Sequence, residues 1–244
     1  MDKRSRMLLI VEGERAERRL FDHLFAAYGL CLEYDVYCYR TNIHDLYSRM
    51  FQTGDDAGDY DLLGVLKERE TDPAKRQILD GDYSDVLLVF DYDPHDNRFS
   101  PESLARMVAY FNESTDQGKL YVNYPMLEAY RHFATVPDPD YPQRTVEVAT
   151  LGRYKALVER ESFCTDVALF DKDIFDTIIN QTAEKARGLS AGRQQSISRT
   201  IYAQPISHEK IVEYQNQLVD KHALVSVLAT CLLFVQDYNP SLVR

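Results

Sequence analysis

The segment DVLLVFDYDPHD (Asp85–Asp96) decides the fold. Val86–Phe90 is an uninterrupted apolar run, the pattern of a parallel strand covered on both faces, and it ends abruptly in Asp91-Tyr92-Asp93-Pro94. An earlier segment, MLLIVEGERAERRLFDHLF (Met7–Phe25), has the same construction: an apolar run to Val11, then Glu12-Gly13-Glu14, then a helical pattern with Leu20, Phe21, Leu24 and Phe25 on one face. Parallel strands end at one sheet edge, and ligands bind in the crevice beyond those carboxyl ends. Glu12 and Asp91 are therefore expected on a common rim.

Outward from these two runs, strands and helices alternate. LEYDVYCYR reads as a strand, with its tyrosines serving sheet packing rather than base stacking. Ile43–Gln52 reads as a helix, residues 54–61 as a loop, and Leu62–Leu79 as a charged helix interrupted near Asp72-Pro73. Ser100-Pro101 is a helix start with serine as cap and proline in the first turn. KLYVN is a short strand, and a further helix is expected from Pro125. The expected fold is α/β, Rossmann-like, with a mostly parallel sheet flanked by helices. Residues 1–135 form the expected core, with a helical insertion at about 43–80. The proline-rich VPDPDYPQ (Val136–Gln143) marks a seam before a mainly helical region over 144–244. Its last expected helix runs from His208 to about Tyr238 with a broad apolar stripe, suited either to the core or to a dimer seam.

The 244-residue chain is 45% hydrophobic and 27% charged, which fits an ordinary globular protein. No apolar run is long enough to span a membrane, and the four-residue run after the basic start is too short for a signal-peptide core. Cys31, Cys38, Cys164 and Cys231 lack metal-ligand spacing and suit a reducing compartment, so a cytoplasmic location is expected. A net charge of −11 gives no global attraction for polyanions, so any contact with nucleic acid has to be local or metal-mediated.

Asp91 and Asp93 leave the same face if the backbone stays extended between them. Two carboxylates about 4 Å apart repel by about 1 kcal/mol in water and about 4 kcal/mol at an effective dielectric near 20. Glu12, Glu14, Glu17 and Asp96 add to the crowding. Hard oxygen donors without a cysteine or a histidine pair suit Mg²⁺ or Mn²⁺, and Gly13 permits a tight turn and close approach of a substrate. The plainer alternatives are a polar turn at each strand end, Glu17 as a solvated helix residue, and Glu128 as a first-turn carboxylate.

Glu12-Gly13 after one buried strand, Asp91-x-Asp93 after another, and VNYPMLEAYRHF with Asn123, Pro125 and Glu128 together resemble the TOPRIM (topoisomerase-primase) domain, particularly the small RloB-type and OLD-type nucleases. The resemblance covers Met7–Phe133. It implies a Mg²⁺-dependent endonuclease or phosphodiesterase in which Glu12 is the general acid or base. Asp91 and Asp93 hold the metal, and Glu17 and Glu128 are additional acidic members. It also suggests a role in bacterial defence against phage. The chain departs from the pattern in an extra residue between Asn123 and Pro125, a long insertion over 55–79, and the lack of a topoisomerase tyrosine.

Basic residues in the later region, Lys155, Lys185, Arg187, Arg193 and Arg199, are candidate phosphate contacts or solvated loop residues. His95 is a candidate proton carrier or an exposed loop residue. Two other classes compete with the nuclease. One is a phosphorylated receiver, for which Glu12 and Asp91 stand too far apart in sequence. The other is a sensor or assembly module that acts through a protein partner or a second copy docked on the C-terminal helices.

Overall fold

The computed structural model describes residues 6–30, 32–51, 61–193 and 205–243. In chain order its principal elements are β1 (Arg6–Val11), α1 (Arg15–Ala27), β2 (Glu33–Cys38), α2 (Ile43–Met50), α3 (Leu62–Arg69), α4 (Pro73–Leu79), β3 (Asp85–Asp91), α5 (Pro101–Tyr110), β4 (Asn112–Glu113) and β5 (Gly118–Tyr124). The later region adds β6 (Thr145–Glu147), α6 (Tyr154–Glu161), α7 (Lys172–Ser190), α8 (His208–His222), β7 (Leu224–Ser226), β8 (Leu228–Ala229) and α9 (Phe234–Tyr238).

The central sheet has the order β2-β1-β3-β5-β4, and its first four strands are mutually parallel. Leu8–Val11 and Leu87–Phe90 are fully buried, as strands covered on both faces require. In register, Val11 stands opposite both Cys38 and Val89, and Asp91 stands opposite Asn123. The carboxyl ends of four neighbouring strands therefore finish level at one edge. This α/β architecture, a mostly parallel sheet with flanking helices, is the expected fold class.

Local chemistry explains most of the boundaries. Ser100 caps α5 by accepting from the Ser103 amide, and Pro101 occupies the first turn. The charged segment over 62–79 divides into α3 and α4, because Glu70 is extended and Asp72 caps a new helix beginning at Pro73. Most of the 54–61 loop and Arg199 lie outside the described residues.

Two expectations need correction. The helix expected from Pro125 is a short 3₁₀ segment, Leu127–Arg131, preceded by a cis Tyr124–Pro125 bond. There the Tyr92 amide donates to the carbonyls of Asn123 and Pro125, and the Leu127 amide is taken by Asp91, so these bonds run to β3 and not along a helix. The long helix expected to Tyr238 stops at His222. Ala223 adopts a left-handed conformation (φ 53°) as its C-cap, and the run Leu224–Ala229 enters β7 and β8.

The region after the seam is built into the same sheet and core. β8 pairs antiparallel with β5, α8 packs on α5, and α7 packs on α1 and α8. Ile211, Leu218, Val227, Leu228, Cys231, Leu232 and Val235 are all buried within the chain, so the apolar stripe serves as core. The proline-rich seam is itself pinned. Buried Asp138 accepts from the amides of Ala134 and Asp140 and from Arg144, and Lys185 Nζ donates to the carbonyls of Tyr141 (2.9 Å) and Arg144 (2.8 Å). No helix of the described residues is long and apolar enough to cross a membrane.

Candidate active site

The level strand ends open into a cleft of about 540 Å³ lined by Glu12, Gly13, Glu14, Arg15, Ala16, Glu17, Arg40, Asp91, Leu127, Glu128 and Lys155. Glu12 and Asp91, expected on one rim, are thus brought together with Glu17 and Glu128, the additional acidic members, from β1, β3, α1 and the segment after β5.

Each is positioned by backbone geometry. Glu12 follows β1 directly, and its Oε2 accepts the Asp91 amide at 3.4 Å. Asp91, the last residue of β3, is held by the Leu127 amide on Oδ1 at 2.8 Å. Glu17 is buried on the first turns of α1 and accepts the Gly13 amide at 3.1 Å. An ideal Cβ at Gly13 would stand 3.0 Å from Glu17 Oε2, so glycine leaves the Glu17 carboxylate room against the turn, and a side chain there would press it aside. Glu128 is buried, with Oε1 paired to Lys155 Nζ at 3.1 Å and Oε2 without a hydrogen-bond partner. Lys155 keeps two thirds of its side chain in solvent.

The electrostatics follow from this packing. Burial raises the Glu12 carboxyl to about 7, with the charges of Asp93 and Glu17 adding to the effect and the Asp91 amide and Lys155 opposing it. Burial also lifts Asp91 well above the ordinary carboxylate range, reinforced by the charges of Glu12 and Glu128 and opposed by the Leu127 amide. Burial alone would lower the Lys155 ammonium, yet its pairing with Glu128 and the charges of Asp91 and Glu17 hold it above its ordinary value.

Asp93 departs from the expected placement. The backbone is not extended between it and Asp91: Asp93 lies in the left-handed region (φ 37°), beyond the end of β3. Its carboxylate accepts from Asn42 Nδ2 at 3.2 Å, its carbonyl meets His44 Nε2 at 3.2 Å, and it does not line the cleft. It belongs to a neighbouring polar network in which Asn42 and Arg98 hold Asp96 and Arg98 also reaches Asp45. His95 is exposed and likewise outside the cleft.

Of the basic candidates among the described residues, only Lys155 reaches the cleft. Arg187 is half-buried on α7, Arg193 is exposed beyond it, and neither lines the cleft. Lys185 is fully buried under the Tyr141 ring, which removes it as a phosphate contact. Sequence reading missed Arg15 and Arg40. Arg15 was legible as the first residue of α1, whereas Arg40 enters the cleft only because β2 lies beside β1.

The donor set is entirely hard oxygen, and the unpartnered buried Oε2 of Glu128 beside the mutually repelling Glu12 and Asp91 suits a divalent cation. Among the described residues, no three or more His, Cys, Asp or Glu side chains stand close enough together to hold an ion unaided. Mg²⁺ is commonly held by one or two carboxylates, with water and substrate phosphate completing its shell, so the paired acids fit that chemistry. No protein-family model, curated protein or solved structure matches the chain.

Proposed function

We propose that the chain is a Mg²⁺- or Mn²⁺-dependent phosphodiesterase of the TOPRIM type that cleaves nucleic acid. The single observation carrying this reading is the meeting of Glu12 and Asp91 across β1 and β3, each carboxyl raised by burial and by like charge. A carboxyl near 7 is matched to proton transfer at neutral pH. Because Oε2 of Glu12 takes the Asp91 amide, Oε1 is the atom free to accept a proton from an attacking water and to return it to the leaving oxygen. Asp91, oriented by the Leu127 amide, would hold the metal with one further carboxylate, Glu12 or Glu128, while water and substrate phosphate complete its shell. Such an ion, when bound, supplies positive charge to a phosphoryl oxygen and acidifies a coordinated water. Glu17 fixes the Gly13 turn, and Lys155, paired to Glu128, supplies an exposed cation at the cleft. A role in bacterial anti-phage defence accompanies the TOPRIM resemblance, and a cytoplasmic location accords with free cysteines.

The test is cleavage of DNA and RNA panels with Mg²⁺ or Mn²⁺. Activity that persists undiminished in Glu12→Gln and Asp91→Asn rejects the reading.

A second reading, a catalytically weak TOPRIM-like sensor or assembly module working through a protein partner, is favoured by one observation. Asp93 is tied to Asn42 outside the cleft, so the Asp-x-Asp pair does not act together there. A tight partner complex in a protein without divalent-cation affinity would select it.

A further inference from the structure

The cleft has an order as well as a composition. Because β2, β1, β3 and β5 are adjacent and parallel, the groups beyond their carboxyl ends line up across the sheet edge: Arg40, then Glu12, then Asp91, then Glu128. Three strand spacings of about 4.8 Å separate the first from the last by about 14 Å, long enough for more than one phosphate of a nucleic-acid strand. Lys155 stands at the far end over Glu128, and Arg15, on the first turn of α1, lines the cleft together with Arg40. Cations thus flank a line of carboxylates.

Arg15 and Arg40 are unlike the arginines of the neighbouring network. Arg49, Arg69 and Arg98 are all paired with Asp45. The guanidinium groups of Arg15 and Arg40 are exposed and have no hydrogen-bond or ion-pair partner among the described residues, although the cleft they line holds five acidic residues. Arg40 is also one of three non-glycine residues with positive φ (65°) among the described residues, locked there by its amide donating to the Glu12 carbonyl at 3.1 Å. A strained backbone that sets an unpaired cation on the rim of a site has its natural explanation in a ligand.

We propose that Arg40 and Arg15 form the upstream end, and Lys155 the downstream end, of a phosphate track along which a nucleic-acid backbone crosses the cleft in strand order. One phosphodiester then rests over Glu12 and Asp91, with neighbouring phosphates on the flanking cations. This deepens the nuclease reading by naming its ligand as a single strand's sugar-phosphate backbone, and it supplies locally the positive charge that the net −11 of the chain lacks. Every nucleic acid presents the same backbone, so contacts of this kind position the strand without selecting its sequence.

The experiment is equilibrium binding of fluorescent single-stranded DNA and RNA oligonucleotides to the full chain across a salt series, with Ca²⁺ replacing Mg²⁺. Each lost phosphate contact lowers the slope of log affinity against log salt by about 0.7 for a single strand. Arg15→Ala, Arg40→Gly and Lys155→Ala are each expected to lose about that much, with Arg193→Ala as the unchanged comparison. Arg40→Gly relieves the left-handed backbone while removing the charge, so a lowered slope in that variant is not a folding fault. Wild-type slopes in Arg15→Ala and Arg40→Gly overturn the track, as does a wild type that binds neither strand. Lowered slopes in a chain that cleaves nothing keep the track and reject the nuclease. Unchanged slopes in a chain whose cleavage depends on Glu12 do the reverse.

Discussion

Glu12 and Asp91 meet across neighbouring parallel strands, with the Asp91 amide directed at one Glu12 oxygen, while the two side chains share a partly buried cleft with Glu17 and Glu128. A pair packed this way favours a proton between its members at neutral pH.

That pair makes stability pH-dependent with a definite sign. The Glu12 carboxyl lies near 4.5 in an unfolded chain and about 7 in the fold, so between these values the native state holds a proton that the unfolded state has released. Its contribution is therefore complete below about pH 4.5 and is lost as pH rises through about 7, on the order of 3 kcal/mol in all. Thermal melts without divalent ions should show the wild type losing stability relative to Glu12→Gln across this window. A wild-type-minus-variant difference that stays constant with pH contradicts it.

Asn42 does two jobs. Its Oδ1 caps α2 by accepting the Asp45 amide at 3.1 Å, and its Nδ2 reaches Asp93 and Asp96. Loss of the cap costs about 1 kcal/mol, and removing the donor leaves Asp93 and Asp96 closer to mutual repulsion. Asn42→Ala should lose about 1–2 kcal/mol in urea denaturation, and Asn42→Ser, which keeps the cap, should recover part of it. Equal losses in the two variants would mean that the cap is not what Asn42 contributes.

How much of this was legible follows from the chemistry of each element. β1 and β3 announced themselves because a strand covered on both faces is a continuous apolar run, and α5 did so through Ser100-Pro101. The rim position of Glu12 and Asp91 then followed from strand direction alone. Asp93 misled because an Asp-x-Asp spacing places both side chains together only on extended backbone, and its left-handed φ is a tertiary outcome fixed by Asn42 and His44. The stretch Leu224–Ala229 misled because a short apolar run suits strand and buried helix equally, and Ala223 carries no sign of the left-handed cap it forms. Arg40 was silent because its site role depends on β2 pairing with β1, which no local pattern encodes.

Lys185 gives a purely structural prediction. Its ammonium is the donor for two seam carbonyls, and burial lowers it well below its ordinary value. Lys185→Met fills the volume but removes the ammonium donor from both carbonyls, leaving Tyr141 with the Arg144 amide and Arg144 with the Val227 amide, at a cost of about 1–3 kcal/mol. Chemical denaturation measures the loss, and nucleic-acid affinity at equal folded fraction should not change. Stability within about 0.5 kcal/mol of wild type would show that the seam is held by other contacts.

At Gly13 the expected effect is on the cleft more than on the fold. A methyl there meets the end of the flexible Glu17 side chain, which can swing aside at a cost of about 1 kcal/mol or less. The displaced carboxylate no longer holds the turn after Glu12. Gly13→Ala should therefore lower cleavage at least about tenfold, the rate equivalent of 1.4 kcal/mol, while its melting stays near wild type. Full activity in a folded Gly13→Ala protein would remove Glu17 from the site.

The cation itself discriminates between the two aspartates. A ligand at about one hundred times its dissociation constant stabilises the fold by about 2.7 kcal/mol, and Mg²⁺ or Mn²⁺ should raise the wild-type melting temperature accordingly. Asp91 lines the cleft beside Glu12 and Glu128, whereas Asp93 is engaged with Asn42 outside it. Asp91→Asn should abolish the divalent-dependent rise, Glu128→Gln should weaken it, and Asp93→Asn should retain most of it. An Asp93→Asn protein that loses the response as completely as Asp91→Asn would mean that Asn42 releases Asp93 when the ion binds, and that the Asp-x-Asp pair acts together after all.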